Sequence, residues 1–298
     1  MSVAGIFTAT GHLIDAIGAK RFPTALADLL RLAVPYSYTV VFGYRGVARP
    51  LDLFDDFPAG KRKIFVTDYL EGPYLMDPFF HAANRMVAPG LYRMRDLAPD
   101  RFYQGEYYRS YYAQAGLAEE VGFFIDFAPS AMIVVSLMRA ERVFASRELR
   151  ALQELAPVVL ATARRHWAVL DDHATASRRA KAGNDPKVEE SFAAFGQGIL
   201  TPRERQIVEH TLKGHSAEAT GDILGISSGT VRIHRRNVHV KLRISSQGEL
   251  FPRFIKTLGG TWGCLGCAGK SADIGGCTEI TQRMTRSMPC GSEKTATT

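Results

Sequence analysis

Two arginines, Arg232 and Arg236, stand four residues apart in the last third of the chain. On a helix, residues at this spacing lie one above the other on the same face. An arginine so placed can bind the O6 and N7 atoms of guanine in the major groove of DNA. Ile233 falls on the same side, and an exposed apolar residue there would fit a thymine methyl group. We therefore predict that Arg232, Ile233 and Arg236 contact DNA bases.

Cationic and hydroxyl side chains around these three residues are suited to phosphate. Arg235 falls on the shoulder of the predicted helix, where a phosphate is nearer than a base edge. Contacts of this kind hold a protein in register on the duplex without reading its sequence. The predicted contacts to the DNA backbone are Thr230, Arg235, Lys241, Arg243 and Ser246.

The helix carrying the two arginines is the third of four predicted between residues 200 and 258. The first begins with Thr201 as N-cap and Pro202 at the first helical position, and Glu204 completes a capping box. It ends at Gly214, where a left-handed residue fits. These local signals define the start of a compact helical region.

A tight turn separates the second and third helices. Ser216 is suited to cap the second helix and Ser227 the third, with Gly225 in the turn between them. The third helix has an apolar stripe at helical spacing, opposite the arginines. The stripe consists of Val231, His234, Val238 and Leu242. This arrangement is typical of a helix-turn-helix that presents one face to DNA.

The segment resembles the C-terminal domain of LuxR-type (LuxR/FixJ/NarL) transcriptional regulators. The matching runs are Leu200–Glu204, Gly214–Ser216, Leu224–Ser227, Thr230–Val238, Lys241–Leu242, Ser246 and Glu249. The resemblance implies base contacts at Arg232 and Arg236, and dimers on two half-sites with the fourth helix often in the interface. The chain departs from the family pattern at Ala219–Gly221, and at Gly248 and Pro252. Pro252 should kink or shorten the fourth helix.

Charge and motif content narrow the class of function. The chain has a formal net charge of +7, and residues 200–258 alone contribute +5, which suits phosphate binding. Walker A, G-x-S-x-G and H-E-x-x-H motifs are not found, so we expect neither an enzyme nor a cofactor. No apolar run approaches a membrane span and the N-terminus lacks a secretory pattern, so we expect a cytoplasmic protein.

Residues 1–170 differ sharply from the rest, since they carry 25 of the 30 aromatic residues. Strands in the middle with helices at both ends predict an α+β domain, a GAF-like or PAS-like antiparallel sheet with flanking helices. The predicted helices are Leu26–Leu32, a stretch over Pro99–Ala115 and a long helix capped by Ser146. The predicted strands are Tyr36–Tyr44, Lys63–Tyr69 and a hairpin of Val121–Phe127 with Ala131–Met138.

The middle of this domain is rich enough in aromatic residues to line an apolar pocket. We predict that it senses a small, largely apolar or aromatic molecule, or that the domain mediates dimerisation. The candidate pocket residues are Tyr69, Tyr74, Phe79, Phe80, Phe102, Tyr108 and Tyr111. The alternative is that these side chains only pack a helix onto a sheet.

The remaining segments are a polar linker, residues 171–196, and a tail, residues 259–298, on either side of the DNA-binding domain at 197–258. All four cysteines, Cys264, Cys267, Cys277 and Cys290, lie in the tail. Their spacing is compatible with a zinc or iron–sulfur site, and the composition with a disordered tail. The prediction is thus a DNA-binding transcriptional regulator, a homodimer on DNA, with an effector and RNA polymerase as candidate partners. The alternative is a metal- or redox-responsive DNA-binding protein with signal input at the cysteines.

Overall fold

A five-stranded antiparallel sheet forms the centre of the N-terminal domain, with strand order β2-β1-β5-β4-β3. The computed structural model describes residues 3–46, 48–112, 116–168, 191–192 and 194–258. The strands are β1 (Tyr38–Arg45), β2 (Leu51–Asp55), β3 (Gly90–Arg93), β4 (Glu119–Ala128) and β5 (Ala131–Arg139). The predicted antiparallel sheet with flanking helices is confirmed.

The predicted hairpin in the middle of the sheet is present as β4 and β5. Ile125 pairs with Ile133 and Phe123 with Val135. Ser130 adopts a left-handed conformation, with φ of 58°, in the turn that joins the strands. All nine residues of β5 are buried because the strand is central and both faces of the sheet are covered.

Helices cover one face of the sheet. They are α1 (Val3–Asp15), α2 (Phe22–Ala33) and α6 (Ser146–Trp167). Their apolar sides pack on alternate strand residues, among them Val41 and Val135. Ser146 was expected to cap α6 but is its first residue; instead the Glu148 carboxylate accepts a hydrogen bond from the backbone N–H of Ala145 at 2.7 Å.

Short helices and single turns cover the opposite face. The helices are α3 (Ala59–Arg62), α4 (Pro78–Asn84) and α5 (Met94–Leu97). The predicted strand Lys63–Tyr69 is wrong, because Lys63–Asp68 forms a π-helical turn. Phe65 and Val66 are both buried in the same core, whereas neighbours in a strand would point to opposite faces.

The stretch Pro99–Ala115, predicted as helical, is not one helix. It contains two single turns, Phe102–Gln104 and Tyr108–Tyr112, separated by Gly105. The C-terminal region is helical throughout, with α7 (Pro202–Lys213), α8 (Ala217–Leu224), α9 (Ser228–Leu242) and α10 (Leu250–Thr257). Pro252 lies in the first turn of this short α10, where a missing N–H removes no helical hydrogen bond.

The C-terminal helices pack directly against the N-terminal domain. The backbone N–H of Arg101 donates to the carbonyl of Gly214 at 2.9 Å, and that of Ser216 donates to the Asp100 carboxylate at 3.0 Å. The apolar face of α10 is buried, with the rings of Phe251 and Tyr107 6.1 Å apart. Within the described part of the chain, no helix is both long and apolar enough to cross a membrane.

Candidate nucleic-acid interface

The first helix of the C-terminal region begins and ends as its sequence predicts. Thr201 accepts a hydrogen bond from the N–H of Glu204, whose carboxylate accepts one from the N–H of Thr201 at 2.8 Å. Gly214 ends the helix with φ of 93°, a conformation that a side chain disfavours. The reciprocal cap fixes the entry of the chain into α7.

The helices on either side of the turn between α8 and α9 are also capped by serine side chains. Ser216 accepts from the N–H of Ala219 at 2.9 Å, and Ser227 accepts from the N–H of Thr230 at 3.1 Å. Gly225 is left-handed, with φ of 65°, at the end of α8. These hydrogen bonds satisfy helix N–H groups that would otherwise lack partners.

The two faces of α9 have the predicted division. Val231, Val238 and Leu242 are buried against the rest of the region. On the opposite side, Arg232 and Arg236 are exposed, and so is Ile233, at 62%. An apolar residue that stays in water between two arginines suits contact with another molecule better than it suits folding.

The two candidate base-reading arginines differ in their present partners. Arg232 forms an ion pair with Glu218 of α8, and its guanidinium lies 3.4 Å from the Ser228 hydroxyl. Both members of the ion pair are more than half exposed, so water screens it. Arg236 is exposed and its side chain makes no hydrogen bond or ion pair within the described residues. Arg232 is therefore held by Glu218, whereas Arg236 has no such partner among the described residues.

Two of the candidate phosphate contacts are engaged inside the protein. Arg235 donates from Nη2 to the carbonyl of His215 at 2.9 Å. Lys241 Nζ lies 2.8 Å from Oε2 of Glu204, whose side chain is 4% exposed. Burial alone would raise the pKa of Glu204, but hydrogen bonds from Lys241 and Thr201 outweigh it and hold that pKa below its usual range.

The other candidate phosphate contacts lie at the two ends of α9. Thr230 is in the first turn, with its hydroxyl 2.9 Å from that of Ser227. Arg243 is exposed and left-handed at the C-cap, with φ of 52°. Ser246 is exposed and binds the Glu249 carboxylate through its N–H at 3.2 Å. Their hydroxyl and guanidinium groups flank the exposed face of α9.

A second candidate site lies inside the N-terminal domain, where apolar and polar side chains together line a cavity of about 10 Å³. Tyr69 donates to Asp77 at 2.6 Å and lies 3.1 Å from the Tyr44 hydroxyl. Tyr112 donates to Glu120 at 2.5 Å. Burial raises the pKa of Asp77 and of Glu120, and the charge of Asp77 raises that of Glu120 further. Two buried carboxyl groups therefore share one small space inside an aromatic core.

Of the predicted pocket residues whose side chains the structure describes, only Tyr69 lines this cavity. Tyr74, Phe79, Phe80 and Phe102 are buried in the surrounding core, and Tyr108 is half-buried. The Tyr111 side chain lies outside the described residues. The polar lining residues that the sequence reasoning missed are Tyr44, Asp77, Tyr112, Glu120 and Ser136. A signal for one of them was available, because Ser136 interrupts the apolar run of β5.

The cysteine site predicted at Cys264, Cys267, Cys277 and Cys290 lies outside the described residues. Across the described ranges, no group of three or more histidine, cysteine, aspartate or glutamate side chains is arranged to hold a metal ion. The metal prediction for the tail therefore stays a prediction.

The capped helices, the tight turn and the exposed basic face of α9 define a helix-turn-helix region. Residues 198–252 match the family model described as bacterial regulatory proteins, luxR family. A helix-turn-helix transcriptional regulator from Aeromonas salmonicida, named from the region 3′ of exeN, is 31% identical over 186 residues, which are 61% of this chain and 94% of that protein. The chain belongs to the luxR family and is a LuxR-type transcriptional regulator.

Two further similarities cover only part of this chain. The transcriptional regulatory protein UhpA of Salmonella typhimurium is 38% identical over 68 residues, 23% of this chain and 35% of UhpA. The VqsR LBD domain from Pseudomonas aeruginosa has a TM-score of 0.48 at 23% identity, over 56% of this chain and 99% of that chain. The luxR-family match and the relative from Aeromonas salmonicida do not favour the alternative raised by the sequence, signal input through the cysteines.

Proposed function

We propose that this regulator binds DNA sequence-specifically through base contacts from Arg232, Ile233 and Arg236. The observation that carries the proposal is the 62% exposure of Ile233 between two exposed arginines on one face of α9. Arginine pairs with guanine, and an apolar side chain packs on the thymine methyl group. The phosphate contacts proposed above would hold α9 in register in the major groove.

Selection of binding sites from random DNA, followed by titration of the selected site, tests this proposal. Arg236→Ala should cost about 1–3 kcal/mol at the selected site and relax preference at one base pair. Arg150→Ala, at an exposed arginine of α6, is the matched control and should leave the preference unchanged. Equal losses for Arg236→Ala on selected and random DNA would contradict a base contact.

We also propose that two copies bind two half-sites, as helix-turn-helix proteins with palindromic operators do. The apolar face of α10 is turned inward here: Phe254 stacks on Phe192 at 4.6 Å between ring centroids, and Phe251 contacts Tyr107. A dimer in this conformation would therefore use another surface. Mass measurement of the protein with a two-half-site duplex and a one-half-site duplex tests the stoichiometry, and one chain on both duplexes would contradict the dimer.

We infer a second role for the N-terminal domain, the sensing of a small, largely apolar or aromatic molecule. Its antiparallel sheet also supports our proposal that it is a GAF-like or PAS-like sensor. The supporting observation is the small cavity inside the aromatic core, whose lining combines apolar side chains with Asp77, Glu120 and Ser136, since binding pockets combine apolar walls with a few polar groups. A cavity of about 10 Å³ holds at most about one water molecule, so ligand entry requires the lining side chains to move.

Thermal denaturation of the full chain across a panel of small aromatic and apolar compounds tests this role. A true ligand should raise the melting temperature with the logarithm of its concentration. Tyr69→Phe, which removes the hydroxyl bound to Asp77, should alter the response, whereas Arg150→Ala should not. A ligand whose effect is the same in wild type and Tyr69→Phe would place its site elsewhere.

A further inference from the structure

A second, larger cleft lies between the turn at Phe102–Gln104 and the helix-turn-helix region. Its volume is about 230 Å³, and both domains contribute to its walls. The N-terminal domain supplies Arg101 and Arg109, and the C-terminal region supplies His215 and Arg235. The cleft thus spans the contact at which Arg101 and Gly214 are joined by a backbone hydrogen bond.

Positive charge exceeds negative charge in this cleft. Among the described residues, the charged groups of its lining are Arg101, Arg109 and Arg235 against Glu106 alone. Burial, with help from the neighbouring His210, lowers the pKa of His215 to about 4, so its imidazole adds no charge near neutral pH. The excess in the lining is therefore about two positive charges.

The nearest other carboxylates are already engaged. Asp100 accepts a hydrogen bond from the Ser216 N–H, and Glu218 is ion-paired with Arg232. Burial lowers the pKa of Arg235 and the nearby Arg101 lowers it further, while Glu218 and Asp100 act in the opposite direction.

Several donors in the cleft are unused. The buried Nε atom of Arg235 has no hydrogen-bond partner. Arg101 and Arg109 are exposed, and their guanidinium groups make no hydrogen bond or ion pair with any described residue. A planar guanidinium presents donors in a fork that matches the oxygens of a phosphate.

We propose that this cleft binds a phosphate group, presented either by a free phosphomonoester or by the DNA backbone. A dianionic group would balance the charge excess and accept hydrogen bonds from arginines of both domains. The volume far exceeds the ~10–15 Å³ that one water needs, and is below the ~300 Å³ of an ordinary small-molecule pocket. The bound group is therefore compact, and it contacts both the N-terminal domain and the helix-turn-helix region.

Isothermal titration calorimetry of the full chain tests the free-ligand source, with inorganic phosphate and adenosine monophosphate as probes at constant ionic strength. Saturable binding of one probe per chain is expected, weakened tenfold or more in Arg101→Gln and Arg109→Gln. Arg150→Gln is the matched control, because Arg150 is an exposed arginine outside the cleft. Unfolding curves of each variant identify any loss of affinity that comes from misfolding.

The salt dependence of DNA binding tests whether the phosphate group in the cleft comes from the DNA backbone. If a backbone phosphate occupies the cleft, Arg101→Gln and Arg109→Gln should each reduce the slope of log affinity against log salt by about 1, without changing sequence preference. Either the calorimetric loss or the reduced slope supports the proposal. Folded variants that match wild type in both measurements overturn it, whether or not base reading by Arg232 and Arg236 is upheld.

Discussion

The ammonium nitrogen of Lys241 lies 2.8 Å from Oε2 of Glu204, and this ion pair ties the end of α9 to the start of α7. The same Glu204 carboxylate completes the cap at Thr201. The sequence predicts Lys241 as a contact to the DNA backbone, and the structure gives it a partner within the protein. The two roles compete for one ammonium group.

Lys241→Ala should therefore lower stability as well as DNA affinity. It leaves the Glu204 carboxylate, 4% exposed, with its cap hydrogen bond but without its cationic partner, and a hydrogen bond to a charged group contributes about 1.5–3 kcal/mol. Urea denaturation at neutral pH measures this change, and Lys256→Ala at an exposed site of α10 is the control. The double variant Glu204→Gln/Lys241→Ala should lose less than the sum of the single losses. Strict additivity would show that the pair has no energetic role.

Glu218→Gln should raise DNA affinity several-fold on all sequences. The substitution removes the carboxylate that holds Arg232, and with it one negative charge from the proposed DNA-binding surface. Since the pair is exposed, water screens it and limits the gain. Fluorescence anisotropy with cognate and random duplexes measures it, and Glu154→Gln on α6 controls for net charge. An affinity equal to that of the control variant would mean that Glu218 does not restrain Arg232.

The raised pKa of Glu120 predicts a particular pH dependence of stability. In the unfolded chain Glu120 loses its proton at the ordinary pKa of a glutamic acid, whereas in the folded protein it keeps the proton to about pH 8. Between these two pKa values the folded state binds more protons than the unfolded state, so the free energy of unfolding falls as pH rises. Glu120→Gln keeps an acceptor for the Tyr112 hydroxyl but cannot titrate. Relative to wild type, the variant should gain stability between about pH 5 and about pH 8, measured by urea denaturation. Parallel pH profiles would contradict a raised pKa.

Gly214→Ala should weaken the contact between the two domains. A Cβ atom there would lie 2.7 Å from the Cα of Phe102, and the residue is left-handed, with φ of 93°. Gly225→Ala is the matched control, since Gly225 is also left-handed but has open space around its Cβ position. Both changes should cost about 1 kcal/mol in backbone strain, and Gly214→Ala should cost more. Equal losses of melting temperature in the two variants would show that Phe102 moves aside without an energetic cost.

The helix-turn-helix region was predictable because its signals are local. Thr201, Ser216 and Ser227 each cap the helix that begins immediately after them, and Gly214 and Gly225 end helices in the left-handed conformation. Each of these effects depends on hydrogen bonds within four residues along the chain. The exposed face of α9 followed from helical spacing alone.

Other features depend on contacts that are distant in sequence. The run Lys63–Tyr69 has β-branched and aromatic residues typical of a strand, but burying Phe65 and Val66 in one core requires a helical turn. The pairing of Asp77 with Glu120 in one cavity depends on the register of β4 beside β5, which no local pattern encodes. The GAF-like or PAS-like assignment also depends on contacts between distant parts of the chain, and it remains a prediction.

The inward apolar face of α10 limits how readily the DNA-binding domain could be exchanged between regulators. The side chains that cover Phe251 and Phe254 include Tyr107 from the N-terminal domain and Phe192 from the predicted linker. Grafting residues 197–258 onto a foreign sensor would therefore remove part of the cover of two phenylalanines, and exposed apolar surface of this kind promotes aggregation. Recombination between such regulators would succeed only where the new N-terminal domain, or a second copy of the chain, supplies side chains that cover Phe251 and Phe254.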